Sequence, residues 1–191
     1  MEFQLPLGIS ARHLHLNREA MDALFGKGSE LHKVRPIKQP GQFASAEFVR
    51  VKTEKGEFKL RVLGPLRPYT QIEVSFTDAR SLGVKPPIRK SGDLKGSVAC
   101  TLIGPAGEYK IPEGIIVAGR HIHLTPATAA KYNLHENDIV ELVTTGERAL
   151  TLHNVLVRTS DKDFDEVHLD TDEANACDLP ADAPMTVRTL K

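Results

Sequence analysis

Two five-residue phrases carry the side chains best suited to chemistry in this chain. Arg12-His13-Leu14-His15-Leu16 and Arg120-His121-Ile122-His123-Leu124 hold four of its eight histidines. In an extended strand, residues i and i+2 point to the same face, so each phrase sets two imidazoles side by side. Such a pair can hold a divalent cation through neutral ring nitrogens, and a carboxylate or further imidazole completes the set. A single His-x-His reads first as a half-exposed strand face. Two copies at equivalent places of a repeated chain favour ligation, because paired polar rings on a core strand need partners.

Other polar stretches are candidates to complete these pairs. His168 lies in Val167-His168-Leu169-Asp170-Thr171-Asp172-Glu173-Ala174-Asn175, which reads as a strand end and a helix start capped by Asp170 or Thr171. Glu73 lies in Thr70-Gln71-Ile72-Glu73-Val74-Ser75, where alternation puts Gln71, Glu73 and Ser75 on one face. Arg67 follows a Gly64-Pro65 turn. Alone, Glu73 and Arg67 read as surface residues, and His32, His135 and His153 lack comparable context. Cys177 near His168 keeps a covalent route open, although a small buried apolar side chain is the simpler reading.

The elements that must position these groups repeat along the chain. Asn17 after the first phrase and Thr125-Pro126 after the second are helix starts, and Gly26 stops the first helix. Val49–Thr53 runs through Gly56 into Leu60–Val62, and Val140–Thr144 runs through Gly146 into Leu150–Leu152, both as hairpins. The pattern is an internal duplication of two β-rich units. Period-two alternation also marks Glu57–Leu63, Gln71–Ser75, Ser97–Ile103 and Leu150–Val157, with short helices near 18–25, 77–82, 126–132 and 171–176. Many short strands with small capping helices favour two barrels or sandwiches over a doubly wound sheet.

Composition narrows the function classes. The chain has 191 residues, enough for one large domain or two small ones, and is 40% apolar. Its 25 Lys and Arg balance its 25 Asp and Glu, and it has no Trp, which argues against a nucleic-acid reader. No apolar run approaches the roughly 18 residues of a membrane span, and the start lacks the pattern of a signal peptide. Two cysteines build no disulfide framework, so a reducing, cytoplasmic setting is expected.

The two Arg-His-x-His-Leu phrases do not stand alone. Together with Gly64-Pro65-Leu66-Arg67-Pro68-Tyr69-Thr70-Gln71-Ile72-Glu73-Val74-Ser75, Ser91-Gly92-Asp93-Leu94-Lys95-Gly96-Ser97 and His168–Ala176, the chain resembles the PduL-type phosphate propanoyltransferases, or phosphotransacylases. The resemblance covers nearly the whole chain in order. It implies a mainly β fold of two β-barrels capped by short α-helices. Residues 1–11 plus 119–191 would form one barrel and 12–118 the other, with the active site at their junction. It also implies two divalent metal ions, usually assigned as zinc. His13 and His15 would hold one ion, His121, His123 and His168 the other, and Glu73 would lie between them. Arg67 matches the phosphate-site arginine, and Ser10, Arg61, Leu63 and Asn175 match coenzyme A contacts, with Arg35 a further one.

The implied reaction interconverts acyl-CoA plus phosphate with acyl phosphate plus CoA, for short acyl groups such as propanoyl or acetyl. Few residues precede Leu7-Gly8-Ile9-Ser10, so the amphipathic extension of microcompartment-packed members is not expected here. A homodimer is the default assembly. A dinuclear metal hydrolase of thioesters or phosphoesters is the alternative, and a closed structural metal site is the reading outside enzymes.

Overall fold

Short alternating runs, broken every few residues by Gly, Pro or Asn, leave no room for long helices. The computed structural model, described here for residues 1–161 and 164–190, accordingly has strands joined by helices of eight residues or fewer. The first part of the chain forms β1 (Glu2–Ser10), β2 (His13–His15), α1 (Arg18–Phe25), β3 (Lys33–Pro36) and β4 (Phe43–Lys52). These are followed by β5 (Glu57–Gly64), β6 (Gln71–Glu73), α2 (Phe76–Ser81), β7 (Ile88–Arg89), β8 (Val98–Ile103) and β9 (Glu108–Ala118). The remainder holds β10 (His121–Leu124), α3 (Pro126–Lys131), β11 (Ile139–Val143), β12 (Thr151–Thr159), β13 (Glu166–Asp170), α4 (Thr171–Cys177) and β14 (Pro184–Thr189).

The chain divides into two compact units, Arg12–Ala118 and Met1–Ala11 with Gly119–Lys191. Each is a closed barrel of six strands, and the fold is mainly β. One barrel runs β1-β13-β10-β12-β11-β14 and closes on β1. The other runs β9-β6-β2-β5-β4-β8 and closes on β9, with β3 and β7 added at its margins. The two circuits match strand for strand. In the first, β1·β13 and β10·β12 are parallel; in the second, β9·β6 and β2·β5 are. All remaining ladders around both barrels are antiparallel. Under this correspondence the repeats begin with β1 and β9, and each opening strand is built into the barrel formed by the rest of the other repeat.

Local sequence explains the helix boundaries. Asn17 caps α1 by accepting the Ala20 amide at 2.8 Å, and Gly26 ends it at φ 100°, where a side chain would be strained. Thr125 accepts the Thr128 amide at 3.3 Å, with Pro126 at the first helical position of α3. One sequence expectation needs correction: Ser75 does not continue its strand. The strand stops at Glu73, and Ser75 caps α2, accepting the Asp78 amide while Asp78 accepts the Ser75 amide. Asp170 and Glu173 form the same reciprocal box on α4.

Each barrel has its own apolar core. Leu14, Val62, Ile72 and Ile115 are fully buried in one, and Leu7, Ile122, Val140 and Val167 in the other. Leu14 and Ile122 are therefore the anchors of the two His-x-His strands. With these residues turned into the cores, the flanking imidazoles must face the other side of each strand.

Candidate metal centres and anion site

Register brings a third donor to each histidine pair. On the β2·β6 ladder His13 stands opposite Glu73, and on the β10·β13 ladder His121 stands opposite His168. Two groups result, His13–His15–Glu73 and His121–His123–His168, and within each the donor atoms lie within 4.8 Å of one another. Glu73 and His168 thus occupy equivalent positions in the duplicated architecture. The structure groups Glu73 with His13 and His15.

The ring nitrogens are oriented by the backbone. His15, 1% exposed, has Nδ1 3.1 Å from the Leu63 carbonyl oxygen, and His121 has Nδ1 2.9 Å from that of Gly119. A carbonyl only accepts, so Nδ1 carries the proton in both rings and the lone pair is left on Nε2. His121 Nε2 lies 3.2 Å from His123 Nε2, and His13 Nε2 lies 3.7 Å from Glu73 Oε2. Burial, His13 and the Arg67 guanidinium hold His15 down at about 2, against a weaker upward pull from the Leu63 carbonyl. Burial, His168 and Arg158 lower His123 to about 3, and burial with His168 and His123 pushes His121 well down. These rings stay neutral, which is the form a divalent ion requires. His-rich donor sets of three, with orienting hydrogen bonds behind them, fit such an ion with a coordination position left for another ligand.

Arg67 is joined to the first donor set. Its Nη1 reaches Ser91 Oγ at 3.2 Å and the Tyr69 hydroxyl at 3.5 Å, and its Nη2 reaches Gln42 Oε1 at 3.1 Å. Ser91 Oγ also lies 2.8 Å from Gln71 Nε2 and 3.3 Å from Glu73 Oε1. Gln71, fully buried, donates to Glu73 Oε1 at 2.6 Å and accepts the Gly92 amide at 2.7 Å. The arginine and the carboxylate therefore belong to one hydrogen-bonded unit.

Of the other expected residues, Arg35, Arg61 and Leu63 belong to one unit and Ser10 and Asn175 to the other. Register sets Arg35, exposed on β3, in one row with Ala44 and Leu63. Arg61, two residues before Leu63 on β5, packs its guanidinium 4.3 Å from the Phe48 ring and donates to the Ser45 carbonyl. Ser10 ends β1 opposite Asp170, and Asn175 is exposed on α4. Cys177 is 2% exposed in a barrel core, where burial raises its thiol above the ordinary value. That environment suits an apolar filler, not a thiolate nucleophile. A cavity of about 650 Å³ bordered by Lys52, Leu82, Cys100 and Lys110 shares no residue with either donor set.

Sequence reading passed over Glu166, Gln71 and Ser91 as site residues. Glu166 is 3% exposed, with Oε2 2.8 Å from His168 Nε2. Its position two residues before His168 was the available signal, since i and i+2 share a strand face. No helix is long and apolar enough to cross a membrane, among the described residues.

Comparison with known proteins agrees with these motifs. A family model described as "PTAC: Phosphate propanoyltransferase" matches residues 6–180. The chain is 48% identical over 187 residues to a phosphate propanoyltransferase of Rhodobacter capsulatus, covering 97% of this chain and 87% of that one. It is 49% identical over 181 residues to the Rhodopseudomonas palustris protein of the same name, covering 94% and 80%. With the Thermotoga maritima protein of that name it shares 47% identity over 175 residues, covering 91% and 83%.

Proposed function

The chain belongs to the phosphate propanoyltransferase family, and from that premise we propose that it interconverts acyl-CoA and phosphate with acyl phosphate and CoA, taking short acyl groups such as propanoyl or acetyl. One observation above the others supports this reading. Arg67 and Glu73 share the Ser91 hydroxyl, so an anion clamp and a ligand set are built as one piece.

In the proposed reaction a phosphate oxygen attacks the thioester carbonyl carbon. The C–O bond forms, the C–S bond breaks, and CoA departs as a thiolate. Arg67 presents a planar, permanently charged fork to two phosphate oxygens and sets the direction of attack. Ser91, Tyr69 and Gln42 fix the guanidinium before substrate arrives, so little ordering remains to be done on binding. Gln71 holds Glu73 in place and leaves its second oxygen, Oε2, toward His13. His13, His15 and Glu73 would hold one divalent ion and His121, His123 and His168 another, with zinc matching the donor types. Bound there, such ions supply Lewis acidity, favouring thiolate over thiol and polarising a carbonyl. Ser10, Arg35, Arg61, Leu63 and Asn175 would contact coenzyme A. The two buried free cysteines are in keeping with a cytoplasmic setting.

The test is an assay of the purified protein for acylation of CoA by acyl phosphate, with metal content measured on the same sample. The reading expects CoA release from acyl-CoA to depend on added phosphate and to stop on exhaustive chelation. CoA release at full rate without phosphate would identify a hydrolase instead. Full transfer activity in verified metal-free protein would overturn the metal assignment.

A further inference from the structure

A buried carboxylate stands beside the second histidine set without belonging to it. Glu166 precedes His168 by two residues on β13 and is 3% exposed. An ionised carboxylate at that depth is costly unless a hydrogen-bonding partner answers it, and His168 Nε2 lies 2.8 Å from its Oε2. The space it fills is created by Gly8 on the adjoining β1, opposite His168 in register. A Cβ at Gly8 would stand 2.6 Å from Glu166 Oε2 and 3.1 Å from His168 Cδ2.

Those contacts also orient the imidazole. β13 is flanked by β1 on one side and by β10, which carries His121 and His123, on the other. The Cδ2 edge of His168 is the one close to Gly8 on β1. Nδ1 is on the opposite edge of the ring, so it is turned to the flank where His121 and His123 stand.

The duplicated half has the same device with its polarity reversed. By the register of the two ladders, Gln71 occupies the position of Glu166. It is fully buried and donates to Glu73 Oε1 at 2.6 Å. A carboxylate ligand, which can only accept, has a donor behind it; an imidazole ligand, whose spare nitrogen donates, has an acceptor behind it. Where the third donor is Glu73 its neighbour is Gln71, and where it is His168 its neighbour is Glu166, so the two positions differ together.

We propose that Glu166 is a positioning residue that accepts the Nε2 proton of His168 and so makes Nδ1 the atom through which His168 binds its ion. His15 and His121 have the opposite tautomer, imposed by backbone carbonyls. This inference rests on the metal reading of the His121–His123–His168 set, and the experiment separates the two.

Zinc-loaded protein labelled with ¹⁵N-histidine is examined by long-range ¹H–¹⁵N correlation, with His168→Ala used to assign the resonances. The expected spectrum shows His168 protonated at Nε2 and metal-bound at Nδ1. In zinc titrations Glu166→Ala is expected to weaken the second site by about 10–100-fold, and Glu166→Gln, whose amide oxygen still accepts, to recover part of that loss. Circular dichroism of the metal-free variants reports folding. Coordination through Nε2, or unchanged zinc affinity in a folded Glu166→Ala protein, overturns the role of Glu166. Unchanged metal stoichiometry in His168→Ala overturns the metal reading itself, and this inference with it. Should Glu166→Ala fail to fold, the wild-type spectrum still decides between the two nitrogens.

Discussion

Arg120 Nε lies 2.7 Å from Glu173 Oε1, and the other repeat forms the same bond between Arg12 Nη1 and Asp78 at 2.7 Å. In both, the arginine of the Arg-His-x-His phrase grips the carboxylate three residues past a helix cap, and that helix follows the strand bearing the third donor. The ion pair thus ties the strand with two imidazoles to the strand with the third group.

Replacing Arg120 by Ala should cost about 1–2 kcal/mol, because Glu173 is left without its cationic partner at a site where both side chains are less than a third exposed. Arg12→Ala should cost less, since its guanidinium is 46% exposed. Burial pushes the Glu173 carboxyl up and Arg120 pulls it back, so the variant loses the larger downward pull and keeps only that of the Asp170 amide. A raised folded-state value means that stability is lost as pH rises through it. The defect of Arg120→Ala should therefore be larger at pH 7 than at pH 4, as read from urea midpoints.

Gly8→Ala should destabilise the protein by about 1–3 kcal/mol, because the new methyl meets the carboxylate end of the buried Glu166 side chain at 2.6 Å, and that carboxylate must shift off His168 to admit it. Thermal denaturation checks this. An unshifted midpoint would show that Glu166 can move away freely.

His13→Ala should lower bound metal by about one equivalent while the second set stays loaded, since each set forms within its own ladder. Metal analysis after exhaustive dialysis decides it, and unchanged stoichiometry would remove His13 from the ligands.

Arg67→Ala should raise the apparent KM for phosphate by at least about tenfold and slow turnover, with metal content unchanged. Arg67→Lys should recover little, because an ammonium keeps the charge but not the planar fork. Initial-rate kinetics with phosphate varied measure both; loss of metal in either variant would move Arg67 from substrate to site architecture.

Much of the fold was legible because its signals are local. Asn17, Thr125-Pro126 and Gly26 announce helix ends through hydrogen-bonding and φ preferences that need no distant partner. The paired hairpins show in alternation and in Gly56 and Gly146. Each His-x-His pair also shows locally, since strand geometry alone sets the two rings on one face. Ser75 reads as strand in the sequence because a capping hydroxyl and a strand serine look alike until the chain bends.

Polypeptide chemistry alone thus determined the duplication, the mainly β character and which imidazoles stand in pairs, all consequences of spacing along one strand or turn. Tertiary structure decided what meets those pairs. Interstrand register set Glu73 opposite His13 and His168 opposite His121, each arriving with the same-face neighbour two residues earlier on its strand, Gln71 or Glu166. Such partners are fixed by hydrogen-bond ladders between segments far apart in the chain, and a one-residue slip would turn every one of them to the opposite face.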